Sequence, residues 1–297
     1  MLFIGLDLDA LYILADDFFL GFQEAWRRHL LASGRRRMRE PEISISEIMT
    51  ILIAFQISHF RDFKAFYAAL GVQHRRDFPS LPSYNRFVEL IPRALVPMTS
   101  FMLALRGSCT GTSFVDSTVI RVCHIKRASR NKVFAGIAAK AKSTMGWFFG
   151  FKLHLTSNEH GELLGFRLTR GNVDDRTPVK NGFFDGLFGR VFADKGYIGK
   201  DLFAWLLGKG VKLVTGLRKN MGNALMPLEE KLLLRKRSIC ETINDWLKNE
   251  CQIEHSRHRS PVNFVVHLVA GLVAYSLQPK KPSVRFGQDA VLLPVVA

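Results

Sequence analysis

Aspartate is disfavoured inside β-strands. Asp116 nevertheless stands in the middle of SFVDSTVIRV (113–122), a β-branched run that reads as a strand. Asp194 ends a second run, RVFAD (190–194), just before a Lys-Gly pair. Alone, each has an ordinary reading: a buried Asp bonded to nearby amides, or a turn Asp. Together they are two carboxylates brought to one sheet edge, a hard-oxygen site suited to Mg²⁺ or Mn²⁺. A third acid must come from elsewhere. Glu229 and Glu230 fall in the first turn of a long helix predicted over 228–251, where the helix dipole explains them. Glu250 lies near its end. Glu241 is mid-helix among Arg235, Lys236, Arg237 and Lys248. Arg237 lies one turn before Glu241, and Lys248 about two turns after it. One reading is a surface ion-pair ladder. The other is a metal-binding Glu flanked by phosphate-binding cations.

The second reading has a chemistry that needs it. In-line displacement at phosphorus requires an activated water or 3′-hydroxyl and a stabilised leaving oxygen. Two divalent ions roughly 3.5–4 Å apart do both. Three carboxylates, Asp116, Asp194 and Glu241, would neutralise much of their charge and leave positions open for substrate oxygens. Surrounding cations would draw in the phosphate backbone.

The charge balance agrees. The 297 residues carry a net +16, of which +2 lies in residues 1–106 and +14 in residues 107–297. Such an excess implies a polyanionic partner, nucleic acid or an anionic membrane, bound mainly by the second part. From Ser117 to Asn158 there is no acid, yet there are eight cations. The string CHIKRASRNK (123–132), with Lys126, Arg127, Arg130 and Lys132, reads as a phosphate-gripping arm. Trp147, Phe148 and Phe149 either stack on an exposed base or pack beneath the sheet. The basic link GRRRMR (34–39) is either a solvated linker or a phosphate contact.

Four cysteines form no CxxC pair, which fits a reduced, cytosolic protein. Cys251 and His255 lack a second ligand pair with zinc-finger spacing. The apolar start contains Asp7 and Asp9 and no leading cation, unlike a signal peptide. The apolar run 261–277 is short for a membrane span and holds Asn263 and His267. A cytoplasmic protein with no membrane association is expected.

The elements that must position these residues follow from periodicity. Residues 1–32 read as a helix. SISE (44–47) is a capping box opening a helix to about Ser58. Another helix runs from about Phe60 to Leu70, with Gly71 at its end. Ser83 caps one carrying Asn85 and Arg86. These short helices are either a helix-turn-helix unit or a plain support for the next domain. Beyond Thr112 come strands at 113–122, 151–156 and 163–169, a helix capped by Asp175, a strand at 190–194, a helix at 200–209, a strand at 211–216 and the long helix. The order describes a mixed sheet with helices packed on it. The expected units are a helical region (1–106), an α/β domain (107–282) and a loose tail (283–297).

The strings FVDST, GFKLHL, GNVDDR, FADKGYIG and RKRSICETINDWLK, with the terminal HSRHRSPVNF block, resemble bacterial insertion-sequence transposases of the DDE superfamily. The resemblance covers at least residues 112–282. It implies a ribonuclease-H-like catalytic domain and two Mg²⁺ ions, replaceable by Mn²⁺, on Asp116, Asp194 and Glu241. It implies double-stranded DNA partners, the terminal inverted repeats and a target, handled by a dimer on DNA. Relatives carry Y-x2-R-x3-E-x6-K around the Glu. Arg237, Glu241 and Lys248 match, but Leu234 stands where the Tyr would be. The 46 residues between Asp194 and Glu241 leave no room for the large inserted β-domain of some relatives. A non-catalytic DNA-binding relic and a stand-alone nuclease of the same fold are the competing readings.

Overall fold

The computed structural model describes residues 7–32, 42–58, 60–217, 226–254 and 258–284. The basic link 34–39, His255 and the tail beyond 284 lie outside the described residues.

Helices come first: α1 (Leu8–Ala32), α2 (Ile45–Ile57), α3 (Phe63–Gln73), α4 (Tyr84–Leu90) and α5 (Leu95–Ala104). The predicted capping box opens α2: Ser44 Oγ accepts from the Glu47 amide, and the Glu47 carboxylate accepts from the Ser44 amide. α3 starts at Phe63, a little later than the expected start near Phe60, because Asp62 caps it by accepting from the Ala65 amide. That helix also runs two residues past Gly71, because nothing there forces the left-handed conformation a glycine stop uses. Ser83 caps α4 as expected. The continuous segment 84–104 is long and apolar enough to cross a membrane by length and composition. Packing accounts for its apolar side: Phe87, Leu90, Ile91, Ala94, Met98, Phe101 and Met102 are buried.

The second part is a six-stranded mixed sheet: β1 (Thr112–Cys123), β2 (Ala139–Ser143), β3 (Gly146–Asn158), β4 (Leu163–Arg170), β5 (Gly189–Ala193) and β6 (Val211–Thr215). β1 lies between β3 (antiparallel) and β5 (parallel), and β6 flanks β5. β2 and β4 pair with different halves of β3. This is the ribonuclease-H-like α/β arrangement expected, behind an N-terminal helical region.

β1 alternates. Phe114, Asp116, Ile120 and Val122 face α8 (Leu228–Lys236), α9 (Ser238–Asn249) and α10 (Pro261–Ser276). Val115 faces the opposite layer, built from residues 179–184 and α7 (Lys200–Gly208). Between β4 and β5, α6 (Arg176–Pro178) is a single turn that runs into a kink at Gly182, whose φ is +84°. α10 is buried along nearly its whole length and packs on α2, α5 and α9. One apolar core therefore runs from the N-terminal helices to one face of the sheet.

The predicted long helix is two helices. The break falls at Arg237, which ends α8 and begins α9.

Candidate active site

The sheet register brings the two aspartates together. In the parallel β1–β5 pair, Phe114 lies beside Phe192. Two residues further on, at the carboxyl ends of both pairings, are Asp116 and Asp194. Strand periodicity puts both on the face covered by α9. Across from them, α9 supplies Glu241, which the break at Arg237 puts in the first turn of α9 and not mid-helix as expected.

One cation spans all three. The Arg237 guanidinium lies 3.4 Å from Asp116 Oδ1, 3.8 Å from Asp194 Oδ1 and 4.0 Å from Glu241 Oε1. Its place at the break between α8 and α9 points it at the strand ends. Asn244, one turn beyond Glu241, donates from Nδ2 to Asp116 Oδ2 at 3.1 Å. Sequence reasoning missed Asn244. Its i,i+3 spacing from Glu241 on the buried face of α9 was the available signal.

The acids differ in exposure. The Asp116 side chain is 21% exposed, against 58% for Asp194 and 67% for Glu241. Burial pushes the Asp116 carboxyl up to about 6. Arg237 and the Ser117 amide hold it down, while Asp194 and Glu241 repel its charge and raise it further.

These are hard oxygen donors, the set that Mg²⁺ and Mn²⁺ prefer. Among the described residues, no three acid, His or Cys side chains already form a tight ion site. Arg237 supplies the positive charge instead. Asp116, Asp194 and Glu241 offer the oxygen donors that a divalent ion takes, with the Arg237 guanidinium within 4.0 Å of each.

The rejected acids have other partners. Glu229 pairs with Arg190 of β5 at 2.8 Å, and Glu230 pairs with Lys212 of β6. Lys248 stands apart from the triad, 3.8 Å from Glu254, whose carboxylate also accepts from the Arg121 amide and guanidinium. Leu234, in the place of the relatives' Tyr, packs against the core. Lys126, Arg127, Arg130 and Lys132 are exposed, and none has an acidic partner within 4 Å among the described residues.

Asp175 does not cap a helix; its side chain makes no capping bond. Asp175 Oδ1 instead accepts from Lys152 Nζ at 2.9 Å and Ser117 Oγ at 3.3 Å, behind Asp116 on the other face of β1. It also explains Gly196: a Cβ there would come within 3.0 Å of Asp175 Oδ2. Asp174 makes the local turn, accepting from the Arg176 amide and guanidinium, which hold its carboxyl down at about 2.

Residues 106–261 match the family model for the transposase DDE domain, more than half of the chain. No match was found among curated proteins.

Proposed function

Because the chain belongs to the DDE transposases, we propose that it binds the ends of its own mobile element, cuts them by hydrolysis and joins the 3′ ends to target DNA. One observation carries this reading: Asp116, Asp194 and Glu241 converge on a single guanidinium within 4.0 Å. A pair of Mg²⁺ or Mn²⁺ ions supplies, at such a site, activation of the attacking water or 3′-hydroxyl and stabilisation of the leaving oxygen.

The chain's own groups do the rest. Asp116, on its strand and bonded to Asn244, is the fixed ligand. Asp194 and Glu241, more exposed, are placed to adjust around substrate. Arg237 balances the three charges without metal and turns to a backbone phosphate when DNA arrives. The exposed cations of residues 126–132 and Lys248 hold phosphates further out. Residues 107–282 form the catalytic unit. The working species is a dimer on DNA in the cytoplasm, with no membrane partner, since pairing two ends calls for two protomers.

Asp116→Asn tests the assignment. It should lower Mg²⁺-dependent cleavage of an end-bearing duplex by roughly 1,000-fold or more, several kcal/mol of transition-state stabilisation. End binding in a gel shift should persist. Undiminished cleavage would overturn the triad. A pre-cut end offered with target DNA separates strand transfer from simple nuclease action.

A further inference from the structure

The β2–β3 hairpin continues past the rest of the sheet. β1 last pairs at Cys123 with Phe149, and β4 last pairs at Arg170 with Phe151. Gly146, Trp147 and Phe148 are held by β2 alone, a two-stranded ribbon. Its tip is ordered by local bonds. Ser143 Oγ accepts from the Met145 amide and donates to the Gly146 carbonyl, and Gly146 takes φ +102°.

Strand alternation splits the aromatic trio. Phe148 is buried against Gly171, where any side chain would strike its ring. Phe149 is buried in the core on the other face. Trp147 is 63% exposed and Met145 84% exposed. No ring or cation covers the Trp147 indole among the described residues. Lys142 pairs across the ribbon with Trp147, and Lys140 with Phe149, so both lysines share the Trp147 face. Both are exposed, and neither has an acidic partner within 4 Å among the described residues. An exposed indole framed by unpaired cations, in a stretch without a single acid, suits a polyanion whose interior is apolar.

The geometry points to a second DNA contact: the ribbon enters a groove of duplex DNA, its lysines on the phosphates and Trp147 and Met145 against the bases. A two-stranded ribbon fits the major groove, and an apolar side chain gains by meeting an unstacked base. Trp147 lies on the Asp116 face of the sheet, because Leu155, the partner of Asp116, alternates with it along β3. The eight steps along β3 from Trp147 to Leu155 span about 26 Å. If the triad holds the scissile phosphate, as proposed above, Trp147 meets the duplex roughly seven or eight base pairs from the cut.

The full-length chain is titrated with a fluorescent 30-base-pair duplex at several salt concentrations. Trp147→Ala should weaken binding by between roughly 5- and 150-fold and leave the salt slope unchanged. Lys140→Gln with Lys142→Gln should reduce the slope by about 2. Trp147→Phe should lose the tryptophan quenching that DNA produces in the wild type. Wild-type affinity and quenching in the Trp147 variants would overturn the proposal. So would altered sedimentation of DNA-free Trp147→Ala at unchanged DNA affinity, which would make the ribbon a contact between copies. A photo-crosslinker at position 147, on an end-bearing duplex, tests the spacing. In the Asp116→Asn background, crosslinking with lost cleavage keeps both readings. A crosslink at another distance leaves the ribbon contact standing and removes only the triad's hold on the cut site.

Discussion

β1 carries a carboxylate against each of its faces, and the two are partnered in different ways. Behind the strand, Asp175 has dedicated partners: Lys152 at 2.9 Å, Ser117 at 3.3 Å and a glycine that leaves it room. In front, Asp116 accepts from the neutral Asn244 amide at 3.1 Å, but its only cation is a guanidinium shared with two other acids, none closer than 3.4 Å. Short, exclusive pairing is what a carboxylate needs when its task is to hold elements together. Long, shared pairing leaves lone pairs open for another cation. The same residue type, against the two faces of one strand, is read as structure or as chemistry by how its charge is balanced.

That contrast can be broken most directly at Asp175. Asp175→Ala removes the counter-charge of the Lys152 ammonium, which is 21% exposed and keeps only its hydrogen bond to the Val173 carbonyl. It should cost about 2 kcal/mol, below the 3–5 kcal/mol of a fully buried pair, measured by denaturant unfolding. Cleavage per folded molecule should fall far less than in Asp116→Asn. Unchanged stability with abolished cleavage would reverse the roles assigned to the two faces.

Arg237→Gln sharpens the other side. Removing the shared cation leaves three acids unbalanced, so Mn²⁺ binding, followed by calorimetry without DNA, should tighten about ten-fold. Weaker binding would mean that the guanidinium organises the acids rather than standing in for an ion.

The smallest effect concerns the packed face. His154 is fully buried, bonded to Thr169 Oγ1 at 2.9 Å and to the Tyr197 hydroxyl at 3.4 Å. Burial lowers it from 6.5 to about 4. The unfolded chain therefore takes up a proton that the folded chain refuses. Stability is full above pH 6.5 and is lost as pH falls toward 4, by roughly 1 kcal/mol or less at pH 6. In His154→Gln the stability profile should flatten over that window.

What was legible in the sequence was local or alternating. The Ser44–Glu47 box, the Ser83 cap and the strands bearing Asp116 and Asp194 each declare themselves within a few residues. Position along the helix did not separate Glu241 from Glu229 and Glu230, since all three fall in first turns; their partners do, Arg190 and Lys212 for Glu229 and Glu230 and the shared Arg237 for Glu241. What was hidden depends on packing across the chain. β2, with the sequence AKAKS, has no apolar alternation to mark it. The break at Arg237 lies in a run of good helix formers, and two of the three carboxylates it meets, Asp116 and Asp194, are far away in the sequence. Asp175 looked like a helix cap because Lys152 lies 23 positions away. Trp147 and Phe148 are neighbours in sequence with opposite fates, decided by strand alternation: Phe148 packs against Gly171 and Trp147 points away from it.

The burial of α10 against α2 and α5 bears on how the chain is made. α2 is apolar on nearly every side; α1 covers one side, and α10, about 200 residues downstream, covers another. At about 5–20 residues per second, the ribosome takes roughly 10–40 s to deliver it. Through that interval the earliest helices expose a sticky surface, and a message cut short within the sheet yields a product that cannot hide it. Closing the core over α2 thus waits on α10, so helices made early are finished by one made long after them.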